Sequence, residues 1–596
     1  MTVLCATFAA LALSAAWRQS PTYDETYDLA AGATYLRWGD FRLAPEHPPL
    51  LKELAALPGV LSAPWPSMDE WADKAQDSPT LLALRDAWVA APADVSAQWM
   101  FSYLWLYGLK TAALTRYGPG PTSTMAALEK NDFLNDPDRL FFLARWPMVA
   151  LALALALLTW SWSRELNGRA GGLISLTLFC FNPMILAHAP LATTDVGLTA
   201  FYLAAAYLLW RALTRGGLAD GAGCALACGA AAVSKYSSVL LVPGLSLTAG
   251  MLVLAAPRGR RADLARRALT ILSAALVCAV GVIWAVYGFR FAASAEPSCA
   301  FPWAQAVPSG TATRTLLPWA LRWRLLPEAY LYGVAYVSSH LARRAFLFGT
   351  TSAAGWWYYF PVAAALKTPA AALALVCVAL WRAARERRWA AFAPMLAPAG
   401  VYLAAAMASK TNIGLRHILP VFPFAFVLAG ASASSRGARA LAAAAALGGL
   451  VVFSPPWRPS LIYPDFLGYF NELAGSSRGL TALSDSNIDW GQGLKELKLW
   501  LKTRGIAEPI NLCYFGTAEP RFYGIPYVNL PPGYGFAKVA PFTAARRPGW
   551  LAVGATHLQG TYMDEPQRGE LKRFLSDPRV TLVDRAGPFL IYRISD

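Results

Sequence analysis

Two short stretches carry residue types that move protons: Tyr23-Asp24-Glu25 and, further on, Pro45-Glu46-His47-Pro48-Pro49-Leu50. Both follow one apolar N-terminal run, Thr2 to Trp17, which is close to the length that spans a bilayer. Asp24 and Glu25 therefore emerge near the far interface, where an ionised side chain costs little. In that position a carboxylate suits a general base that takes a hydroxyl proton as the oxygen forms a new bond; capping the helix that starts there is the plainer reading. The proline pair restricts its own backbone and that of the residue before it, which holds Glu46 and His47 in one orientation.

A second acid is expected beside Asp24, and Thr193-Thr194-Asp195 supplies one at the outer start of another apolar run, again with helix capping as the alternative. Cations cluster on the same side. Arg145 and Lys235 are bracketed by apolar sequence, and Arg416-His417, with Arg343, Arg344, Lys367 and Lys410, lie where the positive-inside rule leaves few basic residues. Some of them snorkel to headgroups; a leaving phosphate would need others to stabilise its charge.

These residues need a scaffold, and the scaffold is a membrane. The chain has 596 residues, of which 56% are hydrophobic, above the roughly 45–50% of soluble domains. Apolar runs give about eleven spans: Met1–Trp17, Leu140–Ser161, Gly172–Ala189, Thr194–Leu213, Gly217–Val233, Val239–Ala256, Leu269–Phe289, Tyr359–Trp381, Ala390–Ala406, Ile418–Gly430 and Ala440–Pro455. Arginines crowd alternate connections, from Arg164 and Arg169 through Arg258 to Arg267 and Arg382 to Arg388, which orients those connections to the cytoplasm. The net charge of +16 is largely accounted for in this way, so it does not point to nucleic acid.

The expected organisation is a transmembrane catalytic domain over residues 1–455 and a small α/β domain over 456–596. Outer segments fall at 18–139, with interfacial helices at Asp24–Trp38 and Val95–Leu109, and at 290–358. Trp65 and Trp71 add to the aromatic character of the first segment. Beyond Pro456 the pattern predicts helices at Leu494–Lys502 and Glu565–Leu575, and strands at Ile510–Phe515, Trp550–Gly554, Val580–Asp584 and Phe589–Ile594.

The eight cysteines are scattered, with only Cys299 and Cys513 in outer segments, and show no disulfide framework. Asp485-Ser486-Asn487-Ile488-Asp489-Trp490-Gly491-Gln492 is polar, with Trp490 offering a face of the kind that stacks on sugars. It lacks a calcium-loop pattern and reads as a structured turn ahead of the helix at Leu494. No cofactor is expected, and no ligand spacing demands a divalent metal.

The acidic pair after the first span, Gly39-Asp40 followed by His47-Pro48-Pro49-Leu50, Thr193-Thr194-Asp195 and Ser234-Lys235 together resemble the GT-C glycosyltransferases. More narrowly, they are similar to the protein O-mannosyltransferase and aminoarabinose transferase branch found in bacteria. The resemblance implies an inverting transfer from a polyprenyl-phosphate sugar to a hydroxyl acceptor at the outer face of a bacterial cytoplasmic membrane. By that resemblance Asp24 is the base, with Glu25 beside it and Asp195 as second acid. Glu46 falls at the acid before the proline pair, and Lys235 lines the lipid-phosphate cavity. His47 departs from the lysine of the aminoarabinose enzymes, and Tyr27 from a basic or histidine residue; His47 can serve as a phosphate donor when protonated, with Arg or Lys elsewhere as the alternative, and Arg145, Arg416 and His417 are expected beside it among the substrate-binding residues. Two other readings of such a chain are a flippase for lipid-linked saccharides and an inactive scaffold. A flippase needs charges near the midplane, whereas these acids gather at one interface.

Overall fold

The computed structural model describes the chain except residues 63–78, 91–94, 112, 114–127, 295–300, 302, 304–305, 307–310, 341, 388, 435, 438, 441, 443–462 and 476–478. Trp65, Trp71, Cys299, the expected domain boundary at 455/456 and most of the span expected at Ala440–Pro455 lie outside the described residues.

The chain opens with α1 (Thr2–Arg18), α2 (Tyr23–Trp38) and α3 (Leu50–Ser62), followed by the long α4 (Pro137–Cys180) and by α5 (Asp195–Arg215). Among the described residues five helices are long and apolar enough to cross a membrane: α4, α5, Tyr236–Ala255, Arg258–Val286 and Ala391–Ala408. Shorter apolar helices at Thr2–Arg18, Leu218–Ala232 and Val421–Ala433 fall where spans are expected. The two spans expected at Leu140–Ser161 and Gly172–Ala189 share α4, which breaks at Gly168; its φ of 73° with ψ of −178° is a conformation that glycine alone adopts readily.

The span expected at Tyr359–Trp381 is broken into two helices, Tyr359–Lys367 and Ala370–Arg385, with a bend of 118° between them. Pro369 lacks the N–H to continue a helix and disfavours helical geometry at Thr368, so the apolar run turns a corner. Another, Ile418–Gly430, shortens to a helix at Val421–Ala429 preceded by a 3-10 turn at Leu415–Ile418.

In the segment 18–139, helices form at Tyr23–Trp38 and Val95–Tyr107, where interfacial helices are expected. Every residue from Glu25 to Tyr35 in α2 is buried. α2 packs on α3 so closely that a Cβ on Gly32 would meet the Lys52 carbonyl oxygen at 2.1 Å, which leaves no room for any side chain there. Thr22 and Glu25 start α2 with a reciprocal capping box.

After the bent pair and a short hairpin of β1 (Ala345–Leu347) and β2 (Thr350–Ser352), the C-terminal region forms a mixed sheet of β3 (Ile510–Cys513), β4 (Tyr527–Asn529), β5 (Gly549–Gly554), β6 (Val580–Ala586) and β7 (Phe589–Ile594) in the order β4-β3-β5-β7-β6. β4, β3 and β5 run parallel, while β7 is antiparallel to β5 and β6. Alternation along β5 sends Leu551 and Val553 to one face, where they pack with Leu571 and Phe574 of the helix Glu565–Leu575. Ala552, with Ile510, Leu512 and Ile591, faces a second core shared with Tyr27, Tyr103, Tyr107 and Phe133 of the segment 18–139. The Tyr103 hydroxyl donates to Glu519 at 2.7 Å and its ring stacks on Phe536 at 4.6 Å. Arg290 donates to the Gly39 carbonyl, and Leu347 bridges to Leu483, so the three hydrophilic regions meet.

Candidate active site

Asp24 sits in the first turn of α2, one residue after Tyr23, whose backbone N–H donates to the Trp490 carbonyl at 2.7 Å. Arg416 sits on the turn Leu415–Ile418, between the helix ending at Ala408 and the one starting at Val421. Its Nη1 reaches Asp24 Oδ2 at 2.9 Å and Asp195 Oδ2 at 3.5 Å. Lys235 Nζ contacts the other Asp195 oxygen at 2.6 Å. The result is a row of alternating charge, Asp24, Arg416, Asp195, Lys235. Asp195, Lys235 and Arg416 are buried, whereas the Asp24 side chain keeps 32% of its surface exposed. Asp24 is the member of the row that a substrate can reach.

Arg416 is held from below by the C-terminal region. Its guanidinium lies 4.0 Å from the centre of the Trp490 ring, and its Nε donates to Ser486 Oγ at 3.2 Å. Asn487 accepts from the Leu415 N–H at 3.0 Å, and Lys367 Nζ donates to the Asn487 carbonyl at 2.5 Å. The two loops approach so closely that a Cβ on Gly414 would meet Ser486 Oγ at 1.9 Å. Trp490, expected to offer a face to a sugar, is instead 2% exposed with Arg416 over it.

Glu25 and Arg145 occupy a different place from the substrate-facing one expected of them. They form a two-pronged pair, Nε to Oε1 at 2.9 Å and Nη2 to Oε2 at 2.7 Å, with side chains 0% and 1% exposed. Glu25 also accepts from the backbone N–H groups of Thr22 and Ala192, and Arg145 donates to the carbonyls of Ala16, Gln19 and Ser20. Burial alone would raise the Glu25 carboxyl; Arg145 and the backbone donors outweigh it and hold it below its ordinary value. The pair ties α1, α2, α4 and the approach to Asp195 together, which is a positioning task.

Glu46 and His47 are partly exposed residues on the turn before α3, yet Glu46 Oε2 and His47 Nδ1 are themselves buried and unpaired. Burial, with Lys235 and Lys52 nearby, pushes the His47 imidazole well below its usual range, so it is neutral at pH 7 and is not the cationic phosphate partner expected from its type. Burial raises the Glu46 carboxyl, with Lys52 opposing. His417 is likewise neutral, through burial and then the adjacent Arg416.

Residues that sequence reasoning passed over complete the site. Asp28 lies one turn after Asp24 on the same face of α2 and pairs with Lys52 at 3.8 Å, and Lys52 also donates to the His47 carbonyl at 2.8 Å. The four-residue spacing of Asp24 and Asp28 was the available signal. Among the described residues no group of three or more His, Cys, Asp or Glu side chains is arranged to hold a metal ion, and the described cysteines are free thiols.

Asp489, beside Trp490, accepts from the N–H groups of Thr556 at 3.1 Å and Gly491 at 3.3 Å. Burial nevertheless lifts its carboxyl from 3.8 to about 7. The folded protein then binds this proton more readily than the unfolded chain between those values, so the stability it contributes is present at low pH and is lost as pH rises through about 7. Unfolding midpoints across this range are expected to fall for wild type relative to Asp489→Asn; parallel curves would remove the assignment.

Residues 138–287 match the family described as "Dolichyl-phosphate-mannose-protein mannosyltransferase". No curated protein matches the chain. Solved structures of ArnT from Cupriavidus metallidurans align over 99% of this chain and 97% of theirs. The one bound to undecaprenyl phosphate does so at 12% identity with a TM-score of 0.43, and the apo one at 13% with 0.44. The matched stretch holds Arg145, Asp195 and Lys235, so the part of the chain that supplies the second acid and its cation is similar to a family of membrane sugar transferases.

Proposed function

We propose that the chain is an inverting GT-C glycosyltransferase that moves a hexose or pentose from a polyprenyl-phosphate donor to a hydroxyl acceptor. The acceptor belongs to a protein, lipid or glycan at the outer face of a bacterial cytoplasmic membrane, with the C-terminal domain on that same side. The observation that carries this reading is the row Asp24, Arg416, Asp195, Lys235, with its one exposed carboxylate at the end. The description of the matched family, which names a dolichyl-phosphate sugar, supports the donor class.

In this reading Asp24 takes the proton of the acceptor hydroxyl as that oxygen attacks the anomeric carbon. The bond from that carbon to the phosphate oxygen breaks, and its electron pair leaves with the polyprenyl phosphate. Attack opposite the leaving group inverts the anomeric centre. Arg416 aims Asp24, while Lys235 holds Asp195. Cations already in the site meet the negative charge that develops on the phosphate, without reorganisation.

The test is sugar release from synthetic polyprenyl-phosphate sugars by the full-length protein in lipid, comparing wild type with Asp24→Asn. The variant keeps the shape of the side chain and is expected to lose at least about 100-fold in kcat with donor binding retained. Equal turnover by a folded Asp24→Asn protein would defeat the assignment of the base.

A further inference from the structure

We propose that a cavity at the end of α1, walled by the first turn of α4 and by the C-terminal region, binds the headgroup of an anionic membrane phospholipid. The cavity shares no residue with the row that begins at Asp24, and the proposal does not rest on the transferase reading. Its volume of about 430 Å³ falls in the range of about 300–1,000 Å³ typical of small-ligand sites. The lining brings together Trp17, Lys130, Asp138, Lys495, Phe522 and Tyr523, which are far apart in the chain.

Two ammonium groups converge there on one carboxylate. Lys130 Nζ stands 2.6 Å from Asp138 Oδ2, and Lys495 Nζ stands 2.9 Å from Asp138 Oδ1. Lys495 also donates to the Trp17 carbonyl at 2.9 Å. An ammonium has three N–H donors, so among the described residues both lysines keep donors for a ligand. Lys498 donates to the carbonyl of Gly524, another lining residue, and has no carboxylate partner among the described residues. Neighbouring acids are engaged elsewhere: Asp132 accepts from the Glu129 N–H at 2.9 Å, and Asp136 from the Arg139 N–H at 3.3 Å. The cavity thus holds a surplus of positive charge between aromatic walls, with Lys130 4.9 Å from the centre of the Phe522 ring and Lys495 5.8 Å from that of Trp17.

The depth of the cavity identifies the source of its ligand. Asp138 stands just before the apolar run Leu140–Ser161, and Trp17 ends the apolar run that opens the chain, so both lie where hydrocarbon gives way to headgroups. From there an aromatic row descends along α4. Trp17 packs edge-on to Phe142 at 5.0 Å, and Phe142 edge-on to Trp146 at 6.0 Å. Trp17 and Trp146 are 60% and 50% exposed, a face open to acyl chains below a pocket open to their phosphate. Charge selects the lipid class: a zwitterionic headgroup carries an ammonium of its own in among three lysines, whereas an anionic one does not.

The experiment places full-length protein in nanodiscs with phosphatidylglycerol or phosphatidylcholine bearing a photoreactive headgroup, and counts crosslinks on the peptides that hold Trp17 and residues 522–524. A lysine beside an anionic lipid is worth roughly 5-fold in binding, so wild type is expected to crosslink phosphatidylglycerol at least about 5-fold more than phosphatidylcholine. The double variant Lys130→Gln with Lys495→Gln should bring that ratio to about one. Asp138→Asn releases both lysines and should raise the ratio about 5-fold further, a gain that an ion-pair cluster serving structure alone does not give. An unchanged ratio in the double variant, or one in Asp138→Asn no higher than wild type, overturns the proposal. If the double variant does not fold, Lys130→Gln alone, at a side chain 58% exposed, and Asp138→Asn decide it. Inorganic phosphate added to phosphatidylcholine discs should leave the unfolding midpoint where it was, while phosphatidylglycerol raises it; an equal rise with phosphate would reveal a site for soluble anions and overturn the lipid assignment.

Discussion

Replacing Arg416 by methionine is expected to reduce kcat/KM by about 1000-fold, through the loss of a charged donor in the site together with a buried charge left unmatched. Arg416 joins four groups: Asp24, Asp195, Ser486 and Trp490. Without it, Asp24 loses its partner and its aim, and Asp195, 2% exposed, keeps only Lys235. Arg416→Lys should recover a minor part of the rate, because a point charge cannot reach both carboxylates and lie flat on an indole. Donor turnover in lipid, alongside an unfolding curve, separates the two losses. A lysine variant as active as wild type would show that the guanidinium's shape is irrelevant and would remove the argument from the fork.

The second large effect is on stability. Arg145→Leu is expected to destabilise the protein by about 3–5 kcal/mol, because Glu25 would remain fully buried with its charge met by no cation, only by the backbone N–H groups of Thr22 and Ala192 and the Thr22 hydroxyl. The double variant Glu25→Leu with Arg145→Leu should recover much of that loss, since removing both charges also removes the cost of burying them. Thermal unfolding in a mild detergent, followed by tryptophan fluorescence, reads both. A single variant as stable as wild type would mean that the pair is replaced by solvent or by a rearranged α1, and would return Glu25 to the list of groups open to substrate.

The sheet was readable where its strands are long enough to alternate. β3, β5, β6 and β7 fall at the expected places, whereas β4 spans only Tyr527–Asn529, too short to show a period. The bend at Pro369 was legible in principle, but the apolar run across it masked the break. Candidate site residues were legible as types and not as partners. Nothing in spacing could pair Asp24 with Arg416, which stands 392 positions away, or separate Glu25 from its neighbour Asp24 in role. That division arises because adjacent helical residues point in different directions: one faces Arg145 inside the protein and the other faces Arg416.

Tyr23 is tied to Trp490, and Ser20 to Gln492, by backbone hydrogen bonds, so the two ends of the chain build the site together. This has a bearing on biogenesis. A nascent chain that has threaded all its earlier helices still lacks Ser486, Asn487 and Trp490, and Arg416 has nothing to lie on. The enzyme is therefore silent while it is being made, and a truncation before Ser484 would insert into the bilayer as an idle body rather than a partly working one. Quality control of the finished protein then comes down to whether its last segment has found the first turn of α2.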